Sequence, residues 1–151
     1  MRLVLDTNIV MDMLHFDDPR TQPLKAALQS GRAQCFSDTG CLAELERVAG
    51  YPAFALNADE QAALLSNYRT LAKHCEAQPE ENYPLPRCRD ADDQKFLILA
   101  ARCRADVLVT RDNLLLCLAR HRRLPPPFAI LTAEAASGLL QAPPENPAPM
   151  T

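Results

Sequence analysis

The residues best able to do chemistry in this chain are acids. Three aspartates, Asp90, Asp92 and Asp93, crowd into the stretch CRDADDQ, just before the apolar run KFLILAA. Others stand where strands or helices should begin or end. Asp6 closes the run RLVLD, Asp112 lies just past DVLVT, and Glu44 falls inside CLAELERV, after AQCF. Carboxylates gathered at one place repel: at about 4 Å, two like charges cost about 4 kcal/mol at an effective dielectric near 20. Such a group must hold protons or a cation. With no His or Cys among the candidate ligands, the cation expected is hard, Mg²⁺ or Mn²⁺. Metals held by carboxylates suit phosphodiester hydrolysis, because they activate a water, stabilise the attacked phosphate and assist the leaving oxygen.

A plainer role competes at each acid. Aspartate favours helix starts, and Asp90 and Asp92 read as caps more readily than Asp93 does. Asp112 could cap the helix NLLLCLARH, and Glu44 could face solvent beside Glu46. Asp12, Asp17, Asp18 and Asp38 read as surface or capping acids. His15, His74 and His121 lack a cysteine, serine or carboxylate partner at motif spacing and read as structural or surface residues.

The elements that must position these acids follow from periodicity. RLVLD (2–6) is a short buried strand ending on Asp6. Behind it Ile9, Val10, Met13 and Leu14 are at helical spacing, with Thr7 or Asn8 as cap. Pro19 opens a second helix, which Gly31 closes. AQCF (33–36) is a strand. Ser37 or Asp38 caps the next helix, whose buried face is Leu42, Leu45, Val48 and Ala49. NADE (57–60) has capping-box spacing ahead of a helix carrying Leu64, Leu65, Tyr68, Leu71, Ala72 and Cys75. PEENYPLPR (79–87) is a proline-broken connection with room for an edge strand. The helix after CRDADDQ buries Phe96, Leu97, Leu99, Ala100 and Cys103. DVLVT (106–110) and FAILT (128–132) are strands, and AEAASGLL is a last short helix. QAPPENPAPMT (141–151) holds four prolines and reads as a disordered tail. Alternating strands and helices imply a parallel sheet covered on both faces. In such sheets ligands bind beyond the carboxyl ends of the strands, the edge to which Asp6 and Asp112 belong.

Composition sets the outer limits. The chain has 151 residues, 48% of them hydrophobic and 23% charged, which suits one soluble globular domain. No apolar run approaches the roughly 20 residues that span a bilayer, so no membrane association is expected. MRLVLDTN meets an acid at Asp6, so no signal peptide is visible and a cytoplasmic location is the default. The six cysteines are scattered without a C-x-x-C pair and are expected to be buried or free thiols. Net charge is −3, yet residues 85–125 carry nine Lys or Arg against five Asp. Acids set among bases could bind a metal and a polyanion together. The four glycines do not cluster, which disfavours phosphate-cradling loops and dinucleotide folds. An aspartyl-phosphate enzyme would want a second Asp two residues after Asp6, where Asn8 stands.

The segments LVLDTN, LAELERV, CRDADDQKFL and ADVLVTRDNLL resemble, in that order, the motifs of PIN-domain nucleases. The branch most similar is the toxin component of bacterial type II toxin–antitoxin pairs, the VapC-like proteins. The resemblance covers about residues 1–140. It implies a three-layer α/β/α fold with a central parallel sheet of about four to five strands. It maps Asp6 onto the family's first aspartate, Glu44 onto the helical glutamate, Asp93 onto the third acid and Asp112 onto the acid of the T-x-D motif. Asn8 and Thr110 fall on polar positions that support them. The family often has another Asp where Gln94 stands, so the third acid is Asp93 or Asp92. The resemblance further implies Mg²⁺ or Mn²⁺ as cofactor, RNA as substrate, an antitoxin protein as partner and a homodimer. Arg102, Arg111 and Arg122 are candidate phosphate contacts, although ARHRR (119–123) would serve equally as a solvated face. The competing function is a non-catalytic PIN-like domain that binds RNA or serves as a scaffold.

Overall fold

The computed structural model describes residues 1–141. Its strands are β1 (Arg2–Leu5), β2 (Gln34–Ser37), β3 (Ala72–His74), β4 (Val107–Val109) and β5 (Ala129–Leu131). Its α-helices are α1 (Thr7–Leu14), α2 (Gln22–Ser30), α3 (Thr39–Ala49), α4 (Ala58–Leu71), α5 (Gln94–Arg102), α6 (Asn113–Leu116) and α7 (Ala133–Gln141). The strands form one parallel sheet in the order β3-β2-β1-β4-β5. The chain therefore builds outward from β1 on one side, then returns to build on the other. The carboxyl ends of β1 and β4 flank the point where that direction reverses, the usual crevice for ligands in open α/β sheets.

Alternation along the strands divides the core in two. Leu3, Leu5, Cys35, Val107 and Val109 pack with α1, α2, α4 and α7. Val4, Phe36 and Leu108 pack with α5 and with Leu115 and Leu118. Leu3, Val4 and Leu108 are fully buried, each worth about 1.5–3 kcal/mol of transfer free energy. Local signals read in the sequence set several boundaries. Asn57 and Glu60 make both bonds of a capping box, and Gly31 ends α2 at a left-handed φ of 81° that favours glycine.

Four expectations change. The helical pattern through Ala72 and Cys75 breaks at Leu71, and Ala72 turns extended. There the chain becomes β3, with Ala72 opposite Cys35 and His74 opposite Ser37. Pairing to a sheet edge gives these backbone groups partners that weak local propensity cannot outbid. Accordingly the connection 79–87 holds no strand. NLLLCLARH is not one helix but α6 followed by a 3₁₀ turn, Cys117–Arg120. Gln141 belongs to α7, and the rest of the proline-rich segment expected to be disordered lies outside the described residues. No helix among the described residues is long and apolar enough to cross a membrane.

Candidate acidic site at the strand switch point

Asp6 is carried to the edge by the sheet itself: its N–H donates to the Val109 carbonyl at 3.0 Å, continuing the β1–β4 ladder. Its carboxylate is buried, with 4% exposure, and accepts a 2.7 Å bond from Thr110 Oγ1. The same Thr110 oxygen accepts the N–H of Asp112 at 3.0 Å. Thr110, itself fully buried, thus ties the ends of β1 and β4 together and sets the spacing of two acids. Asp112 Oδ1 caps α6 by accepting from the Leu114 N–H at 2.9 Å. Capping therefore does not exclude Asp112 from a site at this edge.

The CRDADDQ stretch sorts its acids by geometry. Asp90 caps the short 3₁₀ turn Ala91–Asp93 through the Asp92 N–H at 3.0 Å. Asp92 is exposed. Asp93 is half-buried and stands at the N-cap position of α5, yet its side chain makes no capping bond. Burial, the charge of Asp6 and a hydrogen bond with Asp112 push its carboxyl up to about 7. Burial likewise raises Asp6, opposed by Thr110 and the Asn8 backbone N–H and reinforced by the charges of Glu44 and Asp112. Asp6, Asp93 and Asp112 thus feel one another directly.

Glu44 comes from α3, near enough for its charge to act on Asp6. One of its oxygens accepts from the Thr7 hydroxyl; the other holds Lys95 Nζ at 2.7 Å, with Arg47 at 3.8 Å. Neither Thr7 nor Lys95 was expected from the sequence to touch the site. Their adjacency to Asp6 and Gln94 was the available signal. The Asn8 side chain, expected to support the acids, is exposed, and its backbone N–H bears on Asp6 only by opposing the rise in its pKa.

The arginines fare differently. Arg102 is not available to phosphate. Its side chain is 7% exposed and engages Asp38 at 3.0 Å, Glu81 at 2.6 Å and the Cys75 carbonyl at 2.9 Å. A basic residue in the last turn of α5 was pulled inward because two acids needed neutralising there. Arg111 is half exposed and pairs with Asp12 at 3.0 Å; Asp12, expected at the surface, is buried. Arg122 is exposed.

The donor set is all carboxylate oxygen, which fits a hard divalent cation. Among the described residues no three His, Cys, Asp or Glu side chains already converge on a common ligating point. Asp6 leans on Thr110, Glu44 on Thr7 and Lys95, and Asp112 on the Leu114 N–H, while Asp93 makes no capping bond. The side chains are near enough to shift one another's ionisation, and a cation would have to draw them together.

An open parallel sheet with carboxylates at its switch point defines a class of α/β protein whose chemistry sits at the strand ends. Comparison narrows the class. Residues 2–114 match the family model described as PIN domain, and the chain belongs to that family. Among solved structures, the crystal structure of VapBC2 from Rickettsia felis bound to a DNA fragment from their promoter contains a similar chain. It aligns with a TM-score of 0.56 at 15% identity, covering 86% of this chain and 97% of that one. At that identity the likeness is one of fold. No curated protein matches the chain.

Proposed function

We propose that this chain is a divalent-metal-dependent endoribonuclease that hydrolyses RNA phosphodiester bonds and acts as the toxin of a toxin–antitoxin pair. The observation that carries the reading is that the buried Thr110 hydroxyl ties Asp6 to Asp112 at the β1–β4 switch point, with Asp93 near enough for burial and their charges to push its carboxyl up to about 7. Carboxylates so placed gain from a cation and are costly without one. Asp6, Asp93 and Asp112 would hold Mg²⁺ or Mn²⁺, with Glu44 as a further ligand; the ion would supply Lewis acidity at the phosphate and a more acidic water. Thr110 fixes Asp6, and the cap at Leu114 fixes Asp112, so two of the acids are held before substrate arrives. Lys95 balances Glu44 and stands beside the site, where a phosphate oxygen could take over its ammonium.

Membership of the PIN-domain family supports the nuclease reading, and the fold shared with a chain of VapBC2 supports an antitoxin protein as partner. Homodimerisation and a cytoplasmic location belong to the same proposal. One observation favours a second reading, an RNA-binding PIN-like domain without turnover: Lys95 already neutralises Glu44, which weakens it as a ligand. Incubating the protein with structured and single-stranded RNA, with Mn²⁺, with Mg²⁺ and with EDTA, separates the two. Cleavage that requires the ion and is lost in Asp93→Asn supports the nuclease. Binding without cleavage under every condition supports the second reading.

A further inference from the structure

From Cys75 to Asp90 the chain forms neither helix nor strand and carries prolines at 79, 84 and 86, yet it is held at both ends by one helix. At the far end Arg102 grips Glu81 at 2.6 and 2.8 Å and the Cys75 carbonyl at 2.9 Å. At the near end the Gln94 amide accepts from the Cys88 N–H at 2.8 Å and donates to the Pro86 carbonyl at 3.1 Å. A carboxylate could not make both of these bonds, because it has no donor. The residue that departs from the family pattern is therefore a staple. The two clamps stand eight residues apart on α5, about 12 Å at 1.5 Å per residue. Fixing an irregular segment costs conformational entropy, and this one also keeps Glu80 at a left-handed φ of 60°.

Between the clamps lies a groove of about 480 Å³, lined by Asn82, Tyr83, Arg87, Gln94 and Ile98. Gln94, which lines it, directly follows Asp93 in the chain. The one acid of the groove, Glu81, is matched by Arg102, whose hydrogen bond holds the carboxyl below the usual range. Tyr83 donates its hydroxyl to Glu81 at 3.2 Å at the edge of the groove, and its ring is a lining surface. Arg87 is exposed and, among the described residues, makes no ion pair or side-chain hydrogen bond. The groove thus has an aromatic face, a free guanidinium and amide groups, and its one acid is held in an ion pair with Arg102.

We propose that this groove is a nucleotide subsite for the RNA strand leading to the acidic site, with Arg87 taking a phosphate and Tyr83 stacking on a base. Gln94 is a positioning residue that holds the Arg87 loop in place. The inference rests on the endoribonuclease reading above and names its substrate path. Stacking of bases on aromatic rings with arginine on the backbone is the general mode of single-strand binding.

The test measures binding of a fluorescent single-stranded oligoribonucleotide by anisotropy in EDTA, across a range of salt, together with steady-state cleavage in Mn²⁺. Arg87→Gln should bind several-fold more weakly, with the slope of log K against log salt reduced by about 0.7, as loss of one phosphate contact to a single strand requires. KM should rise while kcat stays unchanged. Tyr83→Ala should weaken binding by roughly 5-fold or more, and Tyr83→Phe should restore it, since stacking needs only the ring. Arg32→Gln, before β2 at the opposite edge of the sheet, should change nothing. If wild type binds and cleaves RNA but Arg87→Gln keeps the wild-type affinity and salt slope, the subsite is wrong and the nuclease reading stands. If Tyr83→Phe fails as badly as Tyr83→Ala, the stacking role is wrong. Wild type that neither binds nor cleaves RNA overturns both the subsite and the function it rests on.

Discussion

Two groups of buried and half-buried acids lie within this one small fold, and they are balanced in opposite ways. Asp38 and Glu81 meet around Arg102 on one side of α5. Asp6, Asp93 and Asp112 meet at the switch point with no cation side chain among them. The ionisation follows. An Arg102 hydrogen bond holds Glu81 below its ordinary range. Burial pushes Asp38 up, but the Cys41 N–H and Arg102 outweigh it and the net shift is down. Arg102 itself is raised, chiefly by Glu81. At the switch point burial and like charges raise both Asp6 and Asp93. Identical residue types therefore stabilise the fold in one place and are held at a cost in the other. The unbalanced group is where function is to be sought.

The largest effect should come from neutralising the unbalanced group. Asp93→Asn is expected to cut Mn²⁺-dependent RNA cleavage by ~100-fold or more, beyond the loss typical of outer partners of a metal ligand, while leaving the thermal midpoint unchanged or raised. A variant that cleaves at the wild-type rate would show that the acids are merely tolerated, and would end the comparison on the functional side.

Next in size is the balanced group. Arg102→Met should lower unfolding free energy by about 2–4 kcal/mol, below the full value for a broken buried pair because Asp38 and Glu81 keep some contact with solvent. Urea denaturation reads it. A loss under about 0.5 kcal/mol, the scale of a surface substitution, would mean that Arg102 is a surface charge after all.

A subtler contrast lies in pH. The Asp93 carboxyl is raised to about 7 in the folded protein, against about 3.9 for an unfolded aspartate. Between those values the folded state holds a proton that the unfolded state has released. Stability of the metal-free protein should therefore fall as pH rises from about 4 to about 7. Asp93→Asn should flatten that fall. For the same reason Mn²⁺ should raise the melting temperature more at pH 8 than at pH 6, where it must displace the proton. Equal shifts at both pH values, or an unaltered slope in the variant, would contradict the shared ionisation. Smallest of all, Asp90→Asn and Asp92→Asn should change stability by only a few tenths of a kcal/mol, because asparagine caps about as well as aspartate. Cleavage should persist in both; its loss in Asp92→Asn would move the third acid by one residue.

Much of this was open to inspection in the sequence. Apolar runs ending in Asp6 and in TRD announced strand ends at a ligand-binding edge, because a buried strand must be apolar and its chemistry must begin where burial stops. The capping box at Asn57 and the stop at Gly31 are local, so they could be read locally. The order of elements, and hence the parallel sheet, followed from periodicity. Tertiary structure alone decided the rest. Adjacent aspartates look alike in a string, but the turn at Ala91–Asp93 aims Asp93 inward and leaves Asp92 exposed. Glu44 met Thr7 and Lys95, 37 and 51 residues away, and Arg102 met Asp38 across 64. Ala72 left its helix because β2 offered an edge to pair with. Such outcomes depend on which distant groups packing brings within reach: periodicity fixes which face of an element is buried, but the partner on that face is fixed only when the elements are packed together.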